Sequence, residues 1–436
     1  MSTTRTVSVP RTEVDADKLG FFRFGAVAGG VLVTNEYGEW HHFDDAAFRD
    51  FLGGKVAPDV EGYDALAAKG FLRDALDLDH VAASVRRRKR FVGLGPALHV
   101  LPLSDASGPL TVEVAKDVID FAMLSTSTTL ELRLVCTGAL DLDVLGFVVQ
   151  YSTEKNRYEG KAITYRLVAP LAALDEAACA WLIDKRFKVR TPLSGALDAA
   201  GTKVVAALQE AAVAKKRDGW TVEVDLSVGA ALAPTAGEVV TGLAGHGIKR
   251  LRLRPVLEGD DAVSPDAWAS AYRAGLAAAL AADGVVEETA AGICTAATRT
   301  DGVSDPELRS PASGVVAYDT RGGIFPGTAA LEVDDPSMFQ LGTAGQTSYR
   351  DATTHPTLRA LALASLLECL PGFAQHWAAP YLGVDPLASF LGTGDLFAKA
   401  PTSAAVAAQV ACVEAVFEIL LGDDTATAEA LRGWAE

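Results

Sequence analysis

The segment LHVLPLSDASGPLTVEVAKDVIDFAM, residues 98–123, is where the architecture of this chain is most readable. Residues 98–103 are an apolar run of strand length. Ser104, Asp105, Ser107 and Gly108 then supply turn chemistry. From Val112 the pattern changes. Ala115, Val118, Ile119 and Ala122 recur at helical spacing, which predicts an amphipathic helix over Val112–Met123. The next apolar run, TLELRLV at Thr129–Val135, alternates strictly and reads as a strand. One β-α-β unit is therefore complete within 38 residues.

The same alternation continues downstream. Helices are expected at 144–151, 175–185, 203–216, 237–245 and 267–282. Strands are expected at Ala162–Val168, 189–193, 221–228 and Arg250–Pro255. Repeated βα units with short connections imply a parallel sheet or an open barrel.

Upstream, 21–28, 31–34 and Trp40–Phe43 are short strand-like runs separated by Gly29-Gly30 and by Asn35-Glu36-Tyr37-Gly38. Asp44-Asp45 offers an N-cap for a helix at 46–52, and a second helix is expected at 62–69. The result is a winged-helix-sized α+β module. Downstream of residue 310, 314–319 and Gly323–Phe325 flank the turn Thr320-Arg321-Gly322 as a hairpin. A helix at 356–367, a loop-rich stretch at 371–401 and a closing helix at Ala404–Leu421 follow. The expected units are 1–85, a basic linker 86–97, a barrel 98–309 and a C-terminal α+β extension 310–436.

The formal net charge of −17 argues against a nucleic-acid or anionic-membrane partner, since phosphate contacts need a basic surface. The run Arg86-Arg87-Arg88-Lys89-Arg90 is the exception, and reads either as a solvated linker or as a docking strip for an acidic partner. No stretch of about 18–20 uninterrupted apolar residues marks a membrane span. Met1–Val14 is polar without an apolar signal core, so a cytoplasmic location is expected. Cys136, Cys179, Cys294, Cys369 and Cys412 are too dispersed for a disulfide framework or a metal loop, and read as small buried hydrophobes.

Several local patterns carry little chemistry. His41-His42 beside Asp44-Asp45 is the one histidine pair near carboxylates, but adjacent strand side chains point to opposite faces, so no metal site is expected there. His99 reads as a satisfied buried histidine. Gly93-Leu94-Gly95 precedes a proline and a strand rather than a helix, and Glu258-Gly259-Asp260-Asp261 lacks the ligand period of a calcium loop. No phosphate-binding P-loop and no nucleophile elbow occurs.

Together these residues resemble the radical SAM/SPASM maturases of ribosomally made, post-translationally modified peptides, and most closely the His-Xaa-Ser type. Phe21-Phe22-Arg23-Phe24, 32–39, Phe48 and Gly70-Phe71-Leu72 are similar to the family's PqqD-type peptide-recognition module. That resemblance implies strand addition of a leader peptide at Trp40, His41, His42 and Phe43. The family's three-cysteine cluster loop follows its first barrel strand; here 98–103 runs through Ser104–Gly108 straight into the helix. Gly138 and Ala139 stand at the family's Gly-Gly-Glu-Pro cofactor segment, without the carboxylate. Pro192–Asp198 echoes a second family element, and Arg250–Pro255 matches its arginine-proline strand end. In the SPASM-like part, Gly327, Phe373, His376 and Leu382 occupy positions of cluster cysteines while the flanks Pro380-Tyr381, Gly383 and Asp385-Pro386 persist.

The resemblance implies an α/β fold: an open, partial βα barrel of radical SAM type between a winged-helix-like module and a SPASM-like extension. With the cluster ligands missing, the expectation is a catalytically inactive paralogue without cofactor or metal. It would act as a scaffold or adaptor for a precursor peptide or a maturase partner protein. The alternatives are an assembly protein that uses the barrel as a homo- or hetero-oligomerisation surface, and an enzyme with a repurposed pocket.

Overall fold

The computed structural model describes residues 14–60, 62–88, 95–299 and 314–435. Its first unit is an antiparallel sheet of β1 (Arg23–Val27), β2 (Gly30–Thr34) and β3 (Trp40–Phe43), in that order. Ala28 and Gly29, both at positive φ, make the two-residue β1–β2 turn. Such turns match the twist of the strands they join. Helices α1 (Asp45–Leu52), α2 (Tyr63–Ala68) and α3 (Leu78–Arg88) complete the unit. Val31, Val33, Phe43, Phe48, Phe51, Leu66 and Phe71 form its own core. Asp44 caps α1 through the Ala46 and Ala47 amides. The basic run thus begins inside α3, with Arg86 to Arg88 helical; Lys89 to Leu94 lie outside the described residues.

A long sheet dominates the rest. Its parallel strands are β4 (Leu98–Pro102), β7 (Thr129–Val135), β8 (Ala162–Val168), β9 (Lys188–Leu193), β10 (Glu223–Val228), β11 (Arg250–Pro255) and β12 (Val286–Glu287). Between β4 and β7 lies a tight hairpin, β5 (Ser104–Asp105) and β6 (Gly108–Pro109). Helices α4 (Val112–Met123), α5 (Leu142–Glu159), α6 (Glu176–Asp184), α7 (Ala199–Ala214), α8 (Ala236–Gly245) and α9 (Pro265–Ala281) connect successive strands. Thr111, Asp141, Asp175, Asp198 and Ser264 cap α4, α5, α6, α7 and α9 with their side-chain oxygens. Helix α5 runs past the expected 151 to Glu159, where Gly160 at φ 66° stops it.

The sheet does not end at β4. Strand β13 (Val315–Tyr318) pairs in parallel with β4, and β14 (Gly323–Phe325) and β15 (Gly342–Thr343) follow antiparallel. Seven parallel strands plus β13, with helices between them, make the partial βα barrel expected from the alternation. Beyond it the stretch expected to be loop-rich contains a helix at Pro386–Thr393. Ala404–Leu421 is an 18-residue apolar helix, long enough by length and composition to span a membrane. Half of it is buried here, against α9 and α10 (Glu288–Thr298), and Gln409, Glu414 and Glu418 interrupt it.

The N-terminal sheet docks on this C-terminal part. Arg23 Nε donates to the Ala374 carbonyl (2.6 Å), Thr34 Oγ1 to the Trp377 carbonyl (2.6 Å) and the Tyr381 hydroxyl to the Gly38 carbonyl (3.0 Å). Gly25 is required by this contact: a Cβ there would sit 2.2 Å from the Trp377 indole.

Candidate functional site

The two candidate sites are a half-buried strand edge and a cavity. β3 is the edge of the N-terminal sheet, and its residues divide by period 2. Asn35 N donates to Glu39 O, so Glu39, His41 and Phe43 make the hydrogen-bonded pairs with β2. The amides and carbonyls of Trp40 and His42 therefore point away from the sheet. Lys69 Nζ already donates to the Trp40 carbonyl at 2.8 Å and sits over its ring. The side chains are committed elsewhere. Trp40 Nε1 donates to the Ala297 carbonyl, and its ring meets Phe417 edge-on. His42 Nε2 bonds the Val27 carbonyl at 3.0 Å. The His41 ring lies 4.5 Å from that of Phe43, and burial, then Lys69, lowers its pKa to about 4. What β3 offers is main chain.

The four positions matched to cluster cysteines are packed by other means. Phe373 and Leu382 are in the main core. Gly327 is buried at the start of a short 3-10 turn. His376 Nδ1 accepts from the Ala378 amide at 3.1 Å, and burial lowers its pKa.

A sharper arrangement comes from the alternation in the barrel strands. The leucines of TLELRLV face the outer helices, and Glu131 and Arg133 face inward. The same parity turns Arg166, Lys188, Arg190, Glu223, Asp225, Arg250, Arg252 and Arg254 to the concave face. Glu288, the first residue of α10, joins them. Glu131 binds Arg133 (2.6 Å) and Arg166 (2.9 Å). Glu223 binds Arg166 and Arg190, the latter at 2.8 Å. Arg190 also reaches Asp225 (3.0 Å) and Glu288 (2.8 Å), and Glu288 holds Arg252 (3.1 Å) and Arg250 (3.3 Å). Burial pushes the Glu131 carboxyl up, but Arg133 and Arg166 outweigh it and hold it below the usual carboxylate range. Glu288 is held down in the same way by Arg190 and Arg252. All these carboxylates are charge partners of arginines and none is placed as a lone acid.

A cavity of about 510 Å³ opens beside this network. Arg133, Arg190, Asp225, Arg252 and Arg254 line it together with Leu98, Val100, Val135, Val168 and Val315, interleaved on the same concave face. Trp268, Ala408 and Cys412 close the wall, with Trp268 Nε1 donating to the Ala408 carbonyl. Its volume suits a small organic ligand or a large side chain. The sequence reading missed this site. The signal was present as charged residues on alternate positions of strands in a parallel sheet, where both faces are usually apolar.

A cysteine-ligated cluster does not fit these residues. The loop after β4 is the β5–β6 hairpin, and Asp105 ties it to Thr320 by accepting from its amide (2.8 Å) and hydroxyl (2.7 Å). Cys136, Cys179, Cys294 and Cys412 are buried in separate places and Cys369 is exposed. Among the described residues no three His, Cys, Asp or Glu side chains are grouped to hold a metal ion. Gly138 and Ala139 form no cofactor cradle either, since both are exposed and nothing lies within 4 Å of a Cβ built on Gly138. His99 is buried, with Nδ1 2.7 Å from the Tyr318 hydroxyl, but its Nε2 is buried with no hydrogen-bond partner among the described residues, so the expectation of a satisfied histidine holds at one ring nitrogen only.

No known protein family and no curated protein matches the chain. Solved structures do. Native anSMEcpe with bound AdoMet is similar with a TM-score of 0.48 and 13% identity, over 61% of this chain and 82% of that one. Streptococcus suis SuiB bound to S-adenosylmethionine is similar with a TM-score of 0.44 and 12% identity, over 80% and 89%. SuiB bound to precursor peptide SuiA gives 0.45 and 10%, over 78% and 90%. The expectation of a catalytically inactive chain is corrected at this point. The similar structures contain bound AdoMet, and the dispersed thiols bear only on cysteine ligation of a cluster.

Proposed function

We propose that this chain is a cytoplasmic peptide-binding component of a peptide-modification system, and that it takes an extended precursor peptide along β3. The observation that carries this reading is the edge itself: the outward amide and carbonyl of His42 and the outward amide of Trp40, on a strand with no further neighbour in its sheet among the described residues. Main-chain pairing of this kind gives affinity without demanding particular side chains. It agrees with the resemblance of residues 21–39 to a peptide-recognition module.

The test uses the full chain and peptides selected from a random 12-residue display library. His42→Pro removes an outward N–H and leaves the β2–β3 ladder intact, because proline is tolerated where the N–H faces away from the sheet. Selected peptides are expected to lose binding to His42→Pro while its thermal unfolding stays cooperative. Equal binding by wild type and His42→Pro would place the peptide elsewhere. Lys69→Met exposes the Trp40 carbonyl and is expected to tighten binding.

A further inference from the structure

At the start of the barrel strands the concave face holds a lysine among arginines. Lys188 is the first residue of β9, and its register partner on β8 is Arg166. Arg190 follows on the same face of β9. Arg250 stands two strands away and one step further along, since Glu223 pairs with Arg190 on one side and with Arg250 on the other. Each of these arginines has a carboxylate partner. Glu131 and Glu223 hold Arg166, Glu223, Asp225 and Glu288 hold Arg190, and Glu288 holds Arg250. The Lys188 ammonium forms neither an ion pair nor a hydrogen bond among the described residues, and Glu131 and Glu288 act on it only through space. Its side chain is exposed, at the end of the barrel opposite Arg254 and Pro255, the strand ends that line the cavity.

A cluster of like charges is relieved when one member gives up its charge, and here only one can. Guanidinium groups stay protonated in proteins, whereas a crowded or desolvated amine releases its proton. Burial lowers the Lys188 pKa, and Arg166 and Arg250 lower it further against Glu131 and Glu288. The free amine is a nucleophile. The neighbouring guanidinium groups favour an anionic reagent, and they suit phosphate in particular. We propose that Lys188 is an acylation site that takes its acyl group from an acyl phosphate. The phosphate end lies against Arg250, whose guanidinium is half exposed and held by one contact of 3.3 Å to Glu288, and the carbonyl end meets Nζ. The Nζ lone pair attacks the carbonyl carbon and a C–N bond forms. The bond from that carbon to the phosphate oxygen breaks, and inorganic phosphate leaves with the electron pair. The proton lost by nitrogen passes to water or to the departing phosphate. The product is a neutral amide, so the cluster loses one positive charge. The inference is independent of strand addition at β3 and of any ligand in the cavity.

The experiment treats the full folded chain with acetyl phosphate at mildly alkaline pH, stops at low conversion and reads each lysine by peptide mass spectrometry. Lys203, exposed on α7, is the internal reference. Lys188 is expected to gain acetyl at least about threefold faster than Lys203, the factor that one neighbouring cation gives near a protein surface. Added inorganic phosphate is expected to slow Lys188 and spare Lys203. Arg250→Gln is expected to bring the two rates together. The half exposure of Arg250 protects the fold from this change, and cooperative thermal unfolding of the variant checks it. In the chain unfolded by guanidinium chloride the preference is expected to vanish. p-Nitrophenyl acetate, which carries no phosphate, is expected to show a smaller preference for Lys188. A Lys188 rate no higher than that of Lys203, equal slowing of both by phosphate, a preference that survives Arg250→Gln or unfolding, or the same preference with p-nitrophenyl acetate would overturn the proposal.

Discussion

Two halves of one concave sheet face are built from opposite materials. At the β13–β4 end, Val315, Ala317, Leu98 and Val100 meet Phe325, Phe339, Leu361 and Leu387, and the surface is sealed with hydrocarbon. From β7 to β11 the same inward positions hold arginines and carboxylates. The strands share one geometry, so side-chain choice alone decides which half closes and which stays open. Hydrocarbon is stabilised by contact and fills space. A buried ion-pair lattice gains little net stability from its charges, but it resists collapse because every group needs its partner. The cavity lies on the seam between the two.

That contrast can be broken at four points. The largest effect is expected in the charged half. Glu223→Ala leaves Arg166 and Arg190 buried against each other and should cost roughly 3–5 kcal/mol in urea unfolding. The double replacement Glu223→Leu with Arg190→Met should recover most of that loss; if it does not, the lattice is a source of stability in its own right. In the sealed half, Phe339→Ala should cost about 3 kcal/mol through a cavity, with no change in salt dependence. A salt-dependent loss there would mean the two halves are electrostatically coupled.

The third effect tests the opposite face of β4, where His99 is buried and burial lowers its pKa to about 4 from 6.5. The folded state disfavours the proton, so the unfolded chain binds more protons between these values. The stability that neutral His99 supports is therefore complete above pH 6.5 and is lost as pH falls from 6.5 to 4. The loss is on the order of 2–3 kcal/mol. His99→Gln, which keeps a partner for Tyr318, should flatten that part of the pH–stability curve; an unchanged slope would assign it to other groups. The smallest effect is at the rim of the charged half. Arg254→Gln should change stability by less than about 0.5 kcal/mol, since its pair with Asp225 is long and half exposed. A larger loss would make Arg254 part of the lattice rather than of the cavity mouth.

The strands were legible because alternation survives in single segments such as Thr129–Val135 and Arg250–Pro255, and the outer helices because their apolar spacing is local. The cavity was not. Arg133 and Arg252 lie far apart in sequence and meet only when the sheet curls, and no spacing rule links them. The segment 286–298 carries no clear local pattern, although it supplies β12, α10 and Glu288. Its alanine-rich, weakly amphipathic pattern hides a strand of two residues and a carboxylate that matters only in the folded barrel. Glu287 beside it is fully buried, accepting from the Tyr272 hydroxyl (2.7 Å) and the Leu253 amide (3.1 Å), a role that no single-segment pattern shows. Family resemblance drew the sequence reading to positions that had lost cysteines, whereas the charge chemistry lies on the strands between them.

The pairing of β13 with β4 has a consequence for how the molecule is made. The tie between Asp105 and Thr320 closes over 215 residues of chain. A ribosome has therefore released the strands and helices of the barrel before the neighbour of β4 exists. Until then β4 is an open sheet edge with Leu98 and Val100 on its inner face, a template for pairing with other chains. Long-range parallel closure is intrinsically slow. Val315–Tyr318 reaches that edge only after the barrel strands have been made, and refolding yield should fall steeply with protein concentration in any variant that delays it.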